Sequence, residues 1–197
     1  METESMAEVR PEGGTRAQLL AITERLMSAA GYEGVAIKDI AAVAGVRPAA
    51  IFYHFPTKAD LVAAALDASV KALAGRLAEL DGQHADPMAR VRAFIDYFGT
   101  VKRARNEFCF AGVLAASCKG LPENVAVGVK RFEAQIAEWA AGHFREAFPD
   151  LSGDMVRAKG EAVLALAEGA LLVTRMSGDQ AAYDRVVAAI LPRLVER

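Results

Sequence analysis

Side chains that could hold a polyanion are concentrated in residues 36–58 of this 197-residue chain. Lys38, Arg47 and Lys58 lie there with Asp39 as the only carboxylate, so the segment has a net charge of +2, whereas the whole chain has a net charge of −2. Cationic N–H groups donate strong hydrogen bonds to phosphate oxygens and to the acceptor edges of bases. The patch is therefore a first, weak indication of nucleic-acid binding.

A run of four rings, Phe52-Tyr53-His54-Phe55, follows within the same segment. A helix with one buried face spaces its large side chains three and four residues apart, so some of these rings must face outward. Placing Ile51 and Phe55 inward, four residues apart, leaves Tyr53 and His54 outward. The two outward rings are candidates for contact with phosphates or bases.

Two short helices are predicted to position these groups. Residues 37–44 form a narrow apolar face that ends at Gly45, and Pro48 suits the first turn of the next helix, where its missing N–H costs nothing. That helix cannot extend past Phe55, because Pro56 disfavours helical geometry in the residue before it. Two helices joined by a short glycine turn form a helix-turn-helix, whose second helix can enter a major groove. On geometry alone, a helical hairpin with aromatic packing is the alternative.

The rest of the chain repeats apolar residues at helical spacing. Its apolar residues are mostly Ala, Leu and Val, which favours an all-α fold. The first 14 residues have no periodicity and are predicted to form a mobile N-terminal arm. The helices are predicted at about residues 15–31, 37–44, 48–55, 58–80, 87–101, 108–118, 122–148, 155–176 and 180–195.

Several other functional classes find little support. No apolar run is long enough to cross a bilayer and the N-terminus is unlike a signal peptide, so we expect a cytoplasmic protein without membrane association. Cys109 and Cys118 are nine residues apart, which suits neither a CxxC motif nor a disulfide framework. Phosphate-binding glycine loops and HExxH motifs are absent, and His143 is expected to be a solvated side chain near a helix end. We predict neither catalysis nor a metal or cofactor.

The segment from about Thr15 to Leu66 closely resembles the DNA-binding domain of the tetracycline-repressor (TetR/AcrR) family of bacterial regulators. The matching words are GYEG (31–34), DIAAVAGV (39–46), the aromatic run ending in HF (54–55) and PTKADL (56–61). The resemblance implies contacts from Lys58, His54 and Tyr53 to the DNA backbone, and it places residues 47–50 and Tyr53 at the groove. The DNA-binding candidates are Lys38, Arg47, Pro48, Ala49, Ala50, Tyr53, His54 and Lys58.

The sequence departs from the family pattern at three points. The family usually has Ser or Thr at the position of Ala36, where a hydroxyl caps the second helix and meets a phosphate, and it usually has Tyr where Phe52 stands. The run from Pro48 to Ala50 offers almost no side-chain hydrogen bond to a base. We therefore expect base readout to depend on a few side chains, methyl contacts and DNA shape, with modest and salt-dependent affinity.

Residues 67–197 resemble the family's regulatory domain in helix number and layout only. The run VLALAEGALLV (163–173) is apolar almost all round, so a helix formed by it must be buried on every side. A second copy of the chain would supply the missing contact surface. The resemblance implies that the helices at 155–176 and 180–195 form a homodimer interface and that the middle helices enclose an effector cavity. Candidate effector residues, for each of which ordinary core packing is the alternative, are Phe94, Tyr97, Phe98, Val101, Phe110, Leu114, Phe132, Ile136 and Trp139.

The sequence thus predicts an all-α regulator with a helix-turn-helix domain at residues 15–66 and an effector-binding and dimerisation domain at 67–197. It is expected to be a repressor that a small hydrophobic effector releases from a palindromic DNA operator. Two alternatives stay open. One is a regulator that senses oxidants or electrophiles through Cys109, which lies at the start of a helix where a thiolate is favoured. The other is a helical ligand-binding dimer without specific DNA recognition.

Overall fold

The computed structural model describes residues 15–105, 108–116 and 120–197. Nine α-helices and no strand make up these described ranges, which confirms the predicted all-α class. The predicted N-terminal arm, residues 1–14, and Cys118 lie outside them. The helices are α1 Thr15–Ala30, α2 Ile37–Ala44, α3 Pro48–His54, α4 Lys58–Gln83, α5 Pro87–Arg105, α6 Phe110–Ala116, α7 Glu123–Ala147, α8 Gly153–Ser177 and α9 Ala182–Leu194.

Helix α2 begins and ends where the sequence predicts, and α3 begins at the predicted residue and ends at His54, one residue earlier than predicted. Gly45 follows α2 in a left-handed conformation (φ 68°), which a residue with a side chain rarely adopts. Its N–H donates to Ala42 O, and the N–H of Val46 donates to Ala41 O, so two otherwise unpaired helix carbonyls are satisfied. Pro48 is the first residue of α3. The turn between the two helices is therefore fixed by backbone chemistry.

Helix α4 connects the N-terminal helices to the rest of the chain. Thr57 caps its start, because the N–H of Asp60 donates to Thr57 Oγ1 (3.1 Å) and the N–H of Thr57 donates to Asp60 Oδ2 (3.1 Å). Leu61 and Leu66 in its first half and Leu80 near its end are all buried. One helix thus contributes to the core at both ends of the molecule.

The C-terminal helices pack closely where small residues allow it. A Cβ on Gly160 of α8 would lie 2.2 Å from the carbonyl oxygen of Ala137 in α7, so only glycine permits this approach. Tyr183 of α9 is buried, and its hydroxyl donates to Ile95 O of α5 (2.8 Å). Together with the packing of α5 against α7 and of α8 against α9, these contacts join the four helices into one unit.

A partly buried polar cluster ties α4, α5 and α7 together. Asp81 Oδ1 accepts from Trp139 Nε1 (3.0 Å) and lies 2.9 Å from His143 Nε2. Arg90 Nη1 lies 3.4 Å from His143 Nδ1 and donates to Glu146 Oε2 (3.2 Å). The prediction that His143 is solvated is wrong, because its ring is buried under Trp139 and held between two helices. Within the described ranges, no helix is long and apolar enough to cross a membrane.

Candidate nucleic-acid interface

The exposed side of α3 carries the residues that the sequence assigned to DNA. Ile51 and the following Phe55 are buried, as predicted, and they hold the opposite side of the helix against the N-terminal core. The first turn of α3 and the other three rings of the run face solvent, except that Ala50 is half-buried. The exposed set is Arg47, Pro48, Ala49, Phe52, Tyr53 and His54.

Tyr53 is the most exposed of the Phe, Tyr and Trp residues that the structure describes, with 86% of its surface accessible. It makes an edge-to-face contact with the neighbouring His54 ring, with the centroids 5.2 Å apart. Phe52 is 46% exposed although it has no polar atom. Large rings left uncovered on a short helix are unusual in a monomer unless the surface binds something.

The start of α2 lacks the side-chain cap that the family pattern supplies. Ala36 occupies the N-cap position without an acceptor, as the sequence indicates. Asp39 compensates in part, because its Oδ2 accepts the backbone N–H of Ala36 (2.8 Å). Lys38, in the first turn of α2, is exposed and can reach solvent or a ligand. A phosphate at this helix end would meet backbone N–H groups and no hydroxyl.

Lys58 is held in place by the turn after α1. Its Nζ donates to the carbonyl oxygen of Tyr32 (2.5 Å) and lies 4.1 Å from the centroid of the Tyr32 ring. Burial, with a smaller contribution from Glu33, raises the pKa of the Tyr32 phenol, so the ring is neutral at pH 7. An ammonium has three donors, so two remain for a phosphate beside the start of α4. Tyr32 is thus a supporting residue that spacing alone did not reveal.

A further cation lies next to α3. The guanidinium of Arg16, in the first turn of α1, lies 5.3 Å from the centroid of the Phe55 ring. Residue spacing did not single out Arg16, because the sequence separates it from α3 by more than 30 residues. The contact between Arg16 and Phe55, the residue that follows α3, brings a fourth positive charge to the surface that already contains Lys38, Arg47 and Lys58.

Comparison with known proteins agrees with this geometry. Residues 19–65 match the family model described as bacterial regulatory proteins, tetR family. The HTH-type transcriptional regulator TtgR of Pseudomonas putida is 45% identical over 53 residues, which are 27% of this chain and 25% of that protein. The chain therefore aligns with about a quarter of the length of the curated relatives that it matches.

Solved structures extend the likeness to nearly the whole chain. A TetR-family transcriptional regulator from Agrobacterium tumefaciens superposes with a TM-score of 0.84 at 29% identity, covering 91% of this chain and 96% of that one. The chain belongs to the TetR family. A second TetR regulator, from Legionella pneumophila, has a TM-score of 0.86 at 25% identity and covers 95% of this chain and 100% of its own. The resemblance first seen in the sequence is thereby confirmed.

The predicted effector residues of this TetR-family chain lie in and around the core of its C-terminal domain. Phe94 is fully buried, with ring centroids 5.8 Å from Phe98 and 5.6 Å from Trp139. Tyr97 is half-buried beneath the guanidinium of Arg76, which lies 4.3 Å from its ring centroid. The others are buried (Phe110, Leu114, Ile136) or half-buried (Val101, Phe132). Their role as effector contacts stays a prediction.

A cavity of about 600 Å³ lies beside this core, where α1, α6, α7 and α8 meet. Helix α6 separates the two regions, since its Phe110 and Leu114 are buried in the core while Gly112 and Val113 line the cavity. None of the nine predicted effector residues is in its lining. The lining is Ala29, Ala30, Gly31, Phe108, Cys109, Gly112, Val113, Ala115, Ala116, Glu133, Glu168, Gly169 and Leu172.

Cys109 immediately precedes α6, close to the predicted position at the start of that helix. It is 1% exposed and lies in the wall of the cavity. A thiol in this position meets only molecules that enter the cavity, which restricts its access to bulk oxidants. Among the described residues, no group of His, Cys, Asp and Glu has the arrangement of a metal site.

Proposed function

We propose that this TetR-family chain is a homodimeric, DNA-binding transcriptional repressor that a small hydrophobic effector releases from a palindromic operator. The observation that carries the proposal is the exposed side of α3. Tyr53 and His54 are uncovered there, while Ile51 and Phe55 anchor the other side of the same helix. A helix held in this way can present its N-terminal end to a major groove.

The recognition surface favours close approach over many hydrogen bonds to bases. Pro48, Ala49 and Ala50 are small, so the backbone of α3 can lie near the base edges, and the alanine methyls can contact thymine methyls. Arg47 is the side chain best placed to donate to a guanine. Most of the binding free energy then comes from phosphate contacts and falls steeply with salt concentration.

Dimerisation is supported by the apolar surface of the last two helices. Val173 and Met176 of α8 and Ile190 of α9 are all exposed, and Met176 is 80% accessible. A two-fold pairing through residues 155–176 and 180–195 would bury them and present two copies of α3 to successive major grooves. Such symmetry accounts for a palindromic operator.

Effector control is supported by the position of the cavity. Ala29, Ala30 and Gly31, at the end of α1, contribute to its wall, and α1 also packs against α4. A molecule in the cavity therefore touches the DNA-binding domain directly. If it binds one separation of the two α3 helices better than the other, ligand and DNA oppose each other by linkage.

Selection from a pool of random duplexes at low salt tests the proposal. We expect the protein to enrich a palindrome whose half-sites are about 10 base pairs apart or a multiple of that distance. A fluorescence titration then compares the enriched duplex with bulk DNA, and we expect clear preference for the enriched one. Equal affinity for both would exclude a specific regulator.

The second candidate function is a helical ligand-binding dimer without specific DNA recognition. It is favoured by the start of α2, where Ala36 leaves the helix without a side-chain cap, and by Phe52, whose exposed ring brings no hydroxyl. Both features remove phosphate contacts that the family pattern provides. The same selection separates the two candidates, since this one predicts no enriched sequence.

A further inference from the structure

The cavity between α1, α6, α7 and α8 combines an apolar wall with carboxylates. Its volume of about 600 Å³ is within the range of pockets that hold drug-sized molecules. Phe108, Val113 and Leu172 form apolar parts of the wall, and several alanines and glycines leave the space open. The lining that the structure describes contains Glu133 and Glu168 but no Lys or Arg.

Glu133 is placed where a charge is costly. It is half-buried on α7, and burial raises the pKa of its carboxyl above the ordinary value of 4.5. A carboxylate that is partly removed from water, beside apolar groups, is stabilised by a cation that enters the same site.

A second carboxylate also lines the cavity. Glu168 of α8 is half-buried and packs against Gly112 of α6, where a Cβ would lie 2.6 Å from Glu168 Oε2. The absence of a side chain at Gly112 thus makes room for this carboxylate. The Phe108 ring is fixed from outside the lining by Arg175, whose guanidinium lies 3.9 Å from the ring centroid. A ring held in this way is a rigid wall for an apolar ligand.

We propose that this cavity binds an apolar, ring-containing molecule that carries a protonated amine, with Glu133 as the partner of the ammonium group. The apolar body lies against Phe108, Val113 and Leu172, and the amine reaches the carboxylate on α7. This proposal rests on the proposed function in one respect only, which is that ligand binding releases the protein from DNA. The binding itself can be measured without DNA.

A matched pair of probes tests the charge requirement. Naphthylmethylamine and naphthylmethanol have nearly the same size and shape, but only the amine is cationic at pH 7. Isothermal titration calorimetry on the full chain should give an affinity for the amine about tenfold higher than for the alcohol. Equal affinities, or no binding of either probe, would overturn the proposal.

Two glutamine variants locate the partner. Glu133→Gln should weaken binding of the amine about tenfold and leave binding of the alcohol unchanged. Glu138→Gln is the matched control, because Glu138 is exposed on the same helix and lies in a separate groove between α7 and α8. An amine affinity that is unchanged in the Glu133 variant, or equally reduced in both, contradicts the assignment.

A filled cavity gives an independent test of location. A Cβ on Gly169 of α8 would meet no atom within 4 Å, so Gly169→Leu can occupy the cavity without a backbone clash. We expect this variant to keep the helical circular dichroism and the mass of wild type in light scattering, and to lose binding of both probes. Undiminished binding in a variant of unchanged mass would place the ligand elsewhere and overturn the proposal.

The two proposals fail in different ways. A protein that enriches an operator but does not distinguish the amine from the alcohol overturns this inference and leaves the regulator intact. A protein that binds the amine through Glu133 but enriches no operator does the reverse.

Discussion

The exposed side of α3 and the core of the C-terminal domain differ in how far their aromatic rings are accessible in this TetR-family chain. In the N-terminal domain, Tyr53 and Phe52 face solvent on α3. In the C-terminal domain, Phe94 and Phe144 are fully buried among other helices. The exposed rings of α3 are therefore available to a partner outside the chain, whereas the buried rings of the C-terminal domain stabilise the chain itself.

The two domains also differ in how closely their sequences match those of relatives. The family model matches residues 19–65, whereas the match to solved structures extends over most of the chain at 29% identity or less. A surface that fits one DNA geometry needs particular residues at particular positions. A helical core needs apolar volume at helical spacing, which many sequences supply.

Replacing the buried ring of Phe94 should change the stability of the chain far more than replacing the exposed ring of Tyr53, and this is the largest effect that we predict. Phe94→Ala removes a buried ring that contacts Phe98 and Trp139, so we expect the free energy of unfolding to fall by about 3–5 kcal/mol. Tyr53→Ala should change it by less than about 0.5 kcal/mol, because the ring is exposed. Urea denaturation measures both. A small loss for Phe94 would instead indicate that its ring lines an open cavity, as the effector prediction holds.

A smaller effect should distinguish two glycines of α8. Gly160→Ala places a methyl against the Ala137 carbonyl and should cost about 1–3 kcal/mol as α7 and α8 separate. Gly169→Ala meets no atom within 4 Å and should stabilise the helix by up to about 1 kcal/mol. Thermal unfolding of the two variants under the same conditions provides the measurement. Equal melting temperatures would contradict the close packing of α7 on α8.

Residue patterns predicted most of the fold and which residues of α3 are buried or exposed. The position of Gly45 and Pro48 fixes the turn of the helix-turn-helix, and the spacing of Ile51 and Phe55 assigns the buried side of α3, because these signals are local. The support that Tyr32 gives to Lys58, and the approach of Arg16 to α3, depend on tertiary packing. No local pattern encodes such contacts.

The cavity was not predictable for the same reason. Its wall combines the end of α1 with parts of α6, α7 and α8, and many of its residues are alanine or glycine. Large rings at helical spacing instead indicate residues such as Phe94 and Trp139, which pack against each other. Empty space arises where side chains are small, and small residues carry no signal of it in a helical sequence.

A modest gain should follow from restoring the missing cap of α2. Ala36→Ser supplies an acceptor at the N-cap and should raise the free energy of unfolding by about 1 kcal/mol. It should also strengthen DNA binding if a phosphate lies at this helix end. Ala42→Ser, at an exposed position inside α2, is the control and should be slightly destabilising. A serine at position 36 that changes neither quantity would argue that Asp39 already completes this helix start.

The smallest effect concerns pH and the cavity carboxylate. Because burial raises the pKa of Glu133 in the folded chain, the folded state of wild type loses stability as the pH rises through that pKa. Glu133→Gln should therefore melt at a higher temperature than wild type at pH 7. The difference should vanish below about pH 4, where the carboxyl is protonated in both states. A difference that does not depend on pH would contradict the sign of this shift.

The affinity of wild type and Tyr53→Ala for the selected duplex tests the central claim most directly. Tyr53 is too exposed to matter for stability, so its loss should affect only what binds to α3. A fluorescence anisotropy titration at low salt should show about a tenfold weaker affinity for the variant, with urea denaturation unchanged. Equal affinities of the two proteins for that duplex would show that the exposed side of α3 does not contact DNA.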